Sequence, residues 1–154
     1  MRALIPVLDS VNALPAVRYV IRESLSGERH DVRLLDVRSP LGHALEGWLT
    51  GDALQPACEL LDRFRVRHTV QRIAAQDRAD AIVAAALSEG PDAIVLGTAR
   101  YRSATRMSED GVIQKLLEVA PLPVLLVTGR EVSRLERYGI AAGLGATLGL
   151  IFLG

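Results

Sequence analysis

Cysteine is almost absent from this chain. Of its 154 residues only Cys58 carries a thiol. That excludes an intramolecular disulfide framework and Cys-rich zinc or iron–sulfur sites. Cys58 falls in an apolar helical pattern, which marks a buried structural thiol rather than a nucleophile. Histidine is scarce too: His30, His43 and His68 are scattered, with no ligand-type spacing. Lysine is reduced to Lys115, beside seventeen arginines. Arginine presents a planar fork suited to carboxylates and phosphates, but most of these read as solvated surface. Net charge is absent, with eighteen basic and eighteen acidic side chains. No global field therefore exists to hold nucleic acid or an anionic membrane, and neither is an expected partner beyond a local patch. The opening apolar run meets Asp9 at once and is too short for a signal peptide, so the expected compartment is the cytoplasm.

What is present is a globular composition. Apolar residues make up 49% and charged residues 23%, which excludes wholesale disorder. The length suits one domain. Short apolar runs alternate with amphipathic stretches. Strands are expected at Ala3–Leu8, Val32–Val37, Arg67–Ile73, Asp92–Thr98 and Pro123–Thr128. The AIVLG and PVLLV runs are apolar throughout, as in strands buried on both faces. Leu14, Val17, Ile21 and Leu25 share a helical face after an Asn12 cap, with Pro15 in the first turn. Leu41, Ala44, Leu45 and Trp48 form a second stripe, and Leu54, Ala57, Leu61 and Phe64 a third, limited upstream by Pro56. Asp77 and Asp80 open a fourth helix that stops at Gly90. Ser108 caps a fifth, which buries Val112, Ile113, Leu116 and Leu117 and ends at Pro121. The alternation predicts an α/β fold with a doubly wound, five-stranded parallel sheet flanked by helices.

Such sheets take ligands at the carboxyl ends of their strands, near the topological switch point. The places to look are the turn after the first strand (Asp9–Asn12), the end of the second (Val37–Ser39) and the segment after the fourth (Gly97–Ser108). That last segment reads as a loop of about ten residues. It carries Arg100, Arg102 and Arg106 and leads into a helix N-terminus, a combination suited to an anion. The alternative is a solvated basic loop. Catalysis finds no Ser-His-acid or Cys-His motif. No Gly-x4-Gly-Lys-Ser/Thr loop is present. Ser10 reads as a turn or cap residue, and Asp36 as a strand-end carboxylate facing solvent.

The opening ALIPVLDS, the LLDV of the second strand, the DAIVLGT of the fourth and the ending APLPVLLV occur in this order among these elements. Together they resemble the universal stress protein family over about residues 2 to 128. The resemblance implies a doubly wound α/β domain that usually forms a homodimer through its last strand. In the nucleotide-binding branch, ATP lies across the ends of strands one, two and four, over a Gly-x2-Gly-x9-Gly-Ser/Thr cradle. Another branch holds no ATP. Here Gly97 matches the first glycine, Arg100 stands at the second, Asp110 at the third and Gly111 at the Ser/Thr position. Leu8 takes the place of the Asp that ends the first strand, with Asp9 one residue late. Gln76 replaces a glycine common in the family. Successive strand residues point to opposite faces, so Asp9 cannot stand in for position 8 without a bulge. Asp110 opposes a phosphate by roughly 1–3 kcal/mol at about 6 Å and intermediate dielectric. The arginines would offset this by gripping phosphate with side chains.

Residues 130–154 follow the domain at 1–129. A charged stretch leads into fourteen residues, Ile140–Leu153, with only Thr147 polar. Drawn as a helix, Gly139, Ala142, Gly143, Ala146 and Gly149 form a stripe of small residues suited to close packing. Packing on the domain or on a dimer partner is expected; the alternative is membrane contact through 138–154. Fourteen residues span about 21 Å as a helix, short of the roughly 30 Å hydrocarbon core. The expected function is a non-enzymatic, stress-related regulatory or interaction module. It would act as a homodimer with a protein partner and need no cofactor. The alternative is an ATP- or AMP-binding sensor with a degenerate, arginine-gripped site at Asp9, Val37, Gly97, Arg100, Arg102, Arg106 and Gly111. A nucleotide-hydrolysing enzyme would need catalytic residues that the sequence does not display.

Overall fold

A computed structural model describes residues 1–8, 10–38, 54–99, 104–129 and 146–147. Five strands, β1 (Arg2–Val7), β2 (Asp31–Arg38), β3 (Arg67–Ala74), β4 (Ala93–Ala99) and β5 (Val124–Gly129), run parallel. Four helices, α1 (Ser10–Leu25), α2 (Leu54–Arg63), α3 (Arg78–Glu89) and α4 (Ala104–Val119), lie between them. A sixth strand of two residues, β6 (Ala146–Thr147), closes the order β3-β2-β1-β4-β5-β6. The expected stripe at Leu41–Trp48 lies outside the described residues.

Alternation along the strands builds two apolar layers. Ala3, Ile5 and Val7 of β1 join Val32 and Leu34 of β2 against Val17, Val20, Ala57 and Leu61 of α1 and α2. Leu4, Leu35, Val37, Ile94 and Leu96 point the other way, onto Ile82, Ala86 and Leu116 of α3 and α4. Cys58, expected to be buried, is only partly so, packed against the first layer.

Local chemistry explains most boundaries. Asp77 caps α3, its carboxylate accepting the Asp80 amide at 3.0 Å, and Gly90 ends it in the left-handed region at φ 59°. After α2 the Val66 amide donates to Leu61 and the Arg65 amide to Asp62, while Val66 and Leu61 are both buried. This is a Schellman stop, and its left-handed position, φ 55°, is held by Arg65 where glycine is usual. A side chain there costs about 1 kcal/mol.

Leu117, expected inward on α4, is 56% exposed, because the helix packs through Leu116 and leaves the next position facing out. Three further expectations change. Helix α1 begins at Ser10, ahead of Asn12, so Pro15 lies inside the helix rather than in its first turn. The helix crosses Pro15 without the bond a proline cannot donate. Helix α4 begins at Ala104, so Ser108 is not its cap, and the gap after β4 shrinks from about ten residues to 100–103. In the tail, Ala146 and Thr147 are strand rather than helix. They pair antiparallel with Thr128 and Val127 on the outer edge of β5. The rest of the tail lies outside the described residues.

Candidate functional site

Neighbouring strands β1 and β4 lie at the centre of the sheet, and the chain winds outward from them in both directions. Their carboxyl ends, with that of β2, define the switch point where such folds take ligands. Val7 ends β1 and pairs with Asp36 of β2. Leu8 follows it, half-buried against the layer beneath α3 and α4. An apolar side chain therefore stands at the carboxyl end of β1. Asp9, Arg100 and Arg102 lie outside the described residues. Arg106 lies on α4 with its side chain undescribed.

The other candidates are dispersed. Val37 is 2% exposed and its side chain belongs to the apolar layer. Gly97 is buried in β4, paired in register with Val127, and the strand continues two residues beyond it. Gly111 lies in the interior of α4, exposed, and an added Cβ would meet nothing within 4 Å. Asp110 precedes it in the same helix. Amides inside an α-helix donate to the carbonyls four residues back. Those of Asp110 and Gly111 are therefore spent on helix bonds, whereas a glycine cradle offers its amides to phosphate.

Asp36 departs from its solvent-facing expectation: it is 3% exposed. It shares the β2 face of Val32 and Leu34. The Arg38 Nε donates to its Oδ2 at 2.8 Å, and the Arg72 Nε stands 3.7 Å from the same oxygen. Register explains the pairing: Arg38 lies two residues along the same face, and Arg72 is the β3 partner of Asp36. One carboxylate thus holds two guanidiniums at the ends of β2 and β3. The D-x-R spacing was the signal available in the sequence. Gln76 is exposed just before the α3 cap. At that cap Lys115 of α4 donates to Asp77 Oδ2 at 2.6 Å and meets Asp80 Oδ1 at 3.0 Å. This hydrogen bond lowers the Asp77 pKa from the ordinary carboxylate range and raises that of Lys115.

At the opposite, amino end of the strands, Arg2, Arg33, Thr69 and Glu89 line an open cleft of about 250 Å³, across which Arg33 and Glu89 form an ion pair. His30 is buried at this end of β2, with neither ring nitrogen hydrogen-bonded. Among the described residues no cluster of three or more His, Cys, Asp or Glu could hold a metal. None of the described helices is long and apolar enough to cross a membrane.

The strand order and switch-point geometry define a doubly wound, parallel α/β domain. The universal stress protein family profile matches residues 1–128, and the chain belongs to that family. Solved structures share its fold. A hypothetical protein whose biochemical function was assigned from its structure is 20% identical, with TM-score 0.64, covering 85% of this chain and 97% of that one. A universal stress protein family member from Arabidopsis thaliana with AMP bound is 15% identical, with TM-score 0.62, covering 85% and 93%. A universal stress protein in complex with cAMP is 12% identical, with TM-score 0.56, covering 83% and 96%. No curated protein matches at a significant level.

Proposed function

We propose that this universal stress protein acts as a non-enzymatic regulatory or interaction module from the branch that holds no nucleotide. The observation that carries the reading is the start of α4 at Ala104, which places Asp110 and Gly111 inside a helix. The switch point then offers a phosphate no cradle of free amides at those positions. Leu8 beside the apolar layer supports the same reading. The non-enzymatic part rests on the sequence, which carries neither a nucleophile–base motif nor a phosphate-clamping lysine loop. The cytoplasm is its proposed compartment.

Self-association along β5 belongs to the proposal. Among the described residues β6 pairs with two of the six β5 residues, and a ladder that short supports pairing of this edge with a second copy. The second reading is an AMP- or ATP-binding sensor, favoured by the structural neighbours that carry AMP and cAMP. It would rely on Arg100, Arg102 and Arg106. Calorimetry with magnesium and ATP up to millimolar concentration separates the two. The expected result is no binding heat and no thermal shift. A one-site isotherm lost in an Arg100→Ala/Arg102→Ala variant would install the sensor reading instead.

A further inference from the structure

The two edges of the sheet are unlike. β5 carries β6, whereas among the described residues no strand lies beyond β3 on the other side. β3 is eight residues long and pairs with β2 without a bulge from Asp31↔Arg67 to Arg38↔Ala74. It contains no proline. Native edges are commonly blunted by shortness, bulges, proline or charge, and only charge is present here. Val70, near the middle of the strand, is 45% exposed, and Phe64, just before it in the chain, is 44% exposed.

The charge on this edge is predominantly positive. Residues 61–74 hold four arginines and one carboxylate, Asp62. Arg72 is engaged with Asp36. Arg63, Arg65 and Arg67 are exposed, and none forms an ion pair among the described residues, in contrast to Arg2, Arg33 and Arg38. Arg65 holds the left-handed position of the Schellman stop, where glycine would be easier. It is the only non-glycine residue with positive φ among the described residues. Local folding does not ask for an arginine there.

We infer that the β3 edge is a docking surface for an extended acidic segment of a partner protein. The segment adds as a strand beside β3 and sets carboxylates against Arg65 and Arg67. Main-chain hydrogen bonds to the edge that no described strand covers supply affinity, and alternate side chains supply selection. An extended peptide with acidic and apolar residues in alternation presents carboxylates to the arginines on one side and apolar groups to Val70 on the other. A partner of this kind needs no nucleotide. The surface gives the interaction reading a place, while that reading's calorimetric test concerns the other end of the molecule.

The experiment titrates the full chain into a fluorescein-labelled ten-residue peptide of alternating Glu and Val, read by anisotropy. An alternating Lys–Val peptide and a single-stranded oligodeoxynucleotide serve as competing probes. The Glu–Val peptide is expected to bind best and to slow amide exchange in β3. An Arg65→Gly/Arg67→Ala variant is expected to bind about two- to tenfold more weakly, the range for two exposed charge contacts. Arg65→Gly alone keeps or raises Tm, so the weakening cannot be assigned to unfolding. Equal binding of the Lys–Val peptide, or binding with no protection of β3 amides, overturns the proposal. So does tighter binding of the oligonucleotide, which would make the edge a nucleic-acid surface.

Discussion

At position 36 a carboxylate is 3% exposed and faces two guanidiniums. A buried carboxylate is tolerable only when paired and hydrogen-bonded, and here a neighbour on each of two strands supplies the cation. Asp36→Asn keeps the shape and removes the charge. The expected loss is about 1–3 kcal/mol in urea unfolding, with the denaturant slope unchanged. A loss below about half a kcal/mol would mean that the pair is solvated in solution. The parity that puts Asp36, Arg38 and Leu34 on one face is readable from period-two alternation. Burial at the end of a strand is not, because it depends on what the next strand and helix bring alongside. Val37 illustrates the same limit. Its position near the switch point is plain in the sequence, yet its side chain belongs to the core.

Helix boundaries show where local signals suffice. Asp77 and Gly90 bracket α3 because a side-chain cap and a left-handed glycine act within one turn. Ser108 is an equally good cap on paper, but α4 runs past it to Ala104, and an interior serine gives no stop. The clasp of Lys115 on Asp77 and Asp80 joins α4 to the first turn of α3, and no pattern in the sequence marks a contact across 38 residues. Its pH dependence follows from the signs. The Asp77 pKa is lowered, so its share of stability is present above the ordinary carboxylate range and lost as pH falls through the folded-state value. The Lys115 pKa is raised, so its share is present below the ordinary lysine range and lost as pH rises through the higher folded-state value. Lys115→Met is expected to lower Tm slightly at neutral pH. The difference from wild type should vanish at both extremes. A Tm gap that persists at acid pH would assign the effect to packing of the lysine stem instead.

At the scale of the whole molecule, the alternation of elements, the five parallel strands and the flanking helices were legible, because buried parallel strands write unbroken apolar runs; the order of the strands across the sheet was not. The return of Ala146 and Thr147 to the edge of β5 was not, since a glycine-rich apolar tail has helical and strand spacings at once. The family membership fixes the scaffold and leaves the job to the site. There the account turns on whether Asp110 and Gly111 hold their amides inside α4. The Gly111 backbone amide, followed by NMR in the full chain with and without magnesium ATP, reads this directly. The account predicts helical carbon shifts around Gly111, slow amide exchange and no movement of the resonance at millimolar ATP. A fast-exchanging amide that shifts on titration and becomes protected would show a phosphate cradle in place of the helix, and would contradict it.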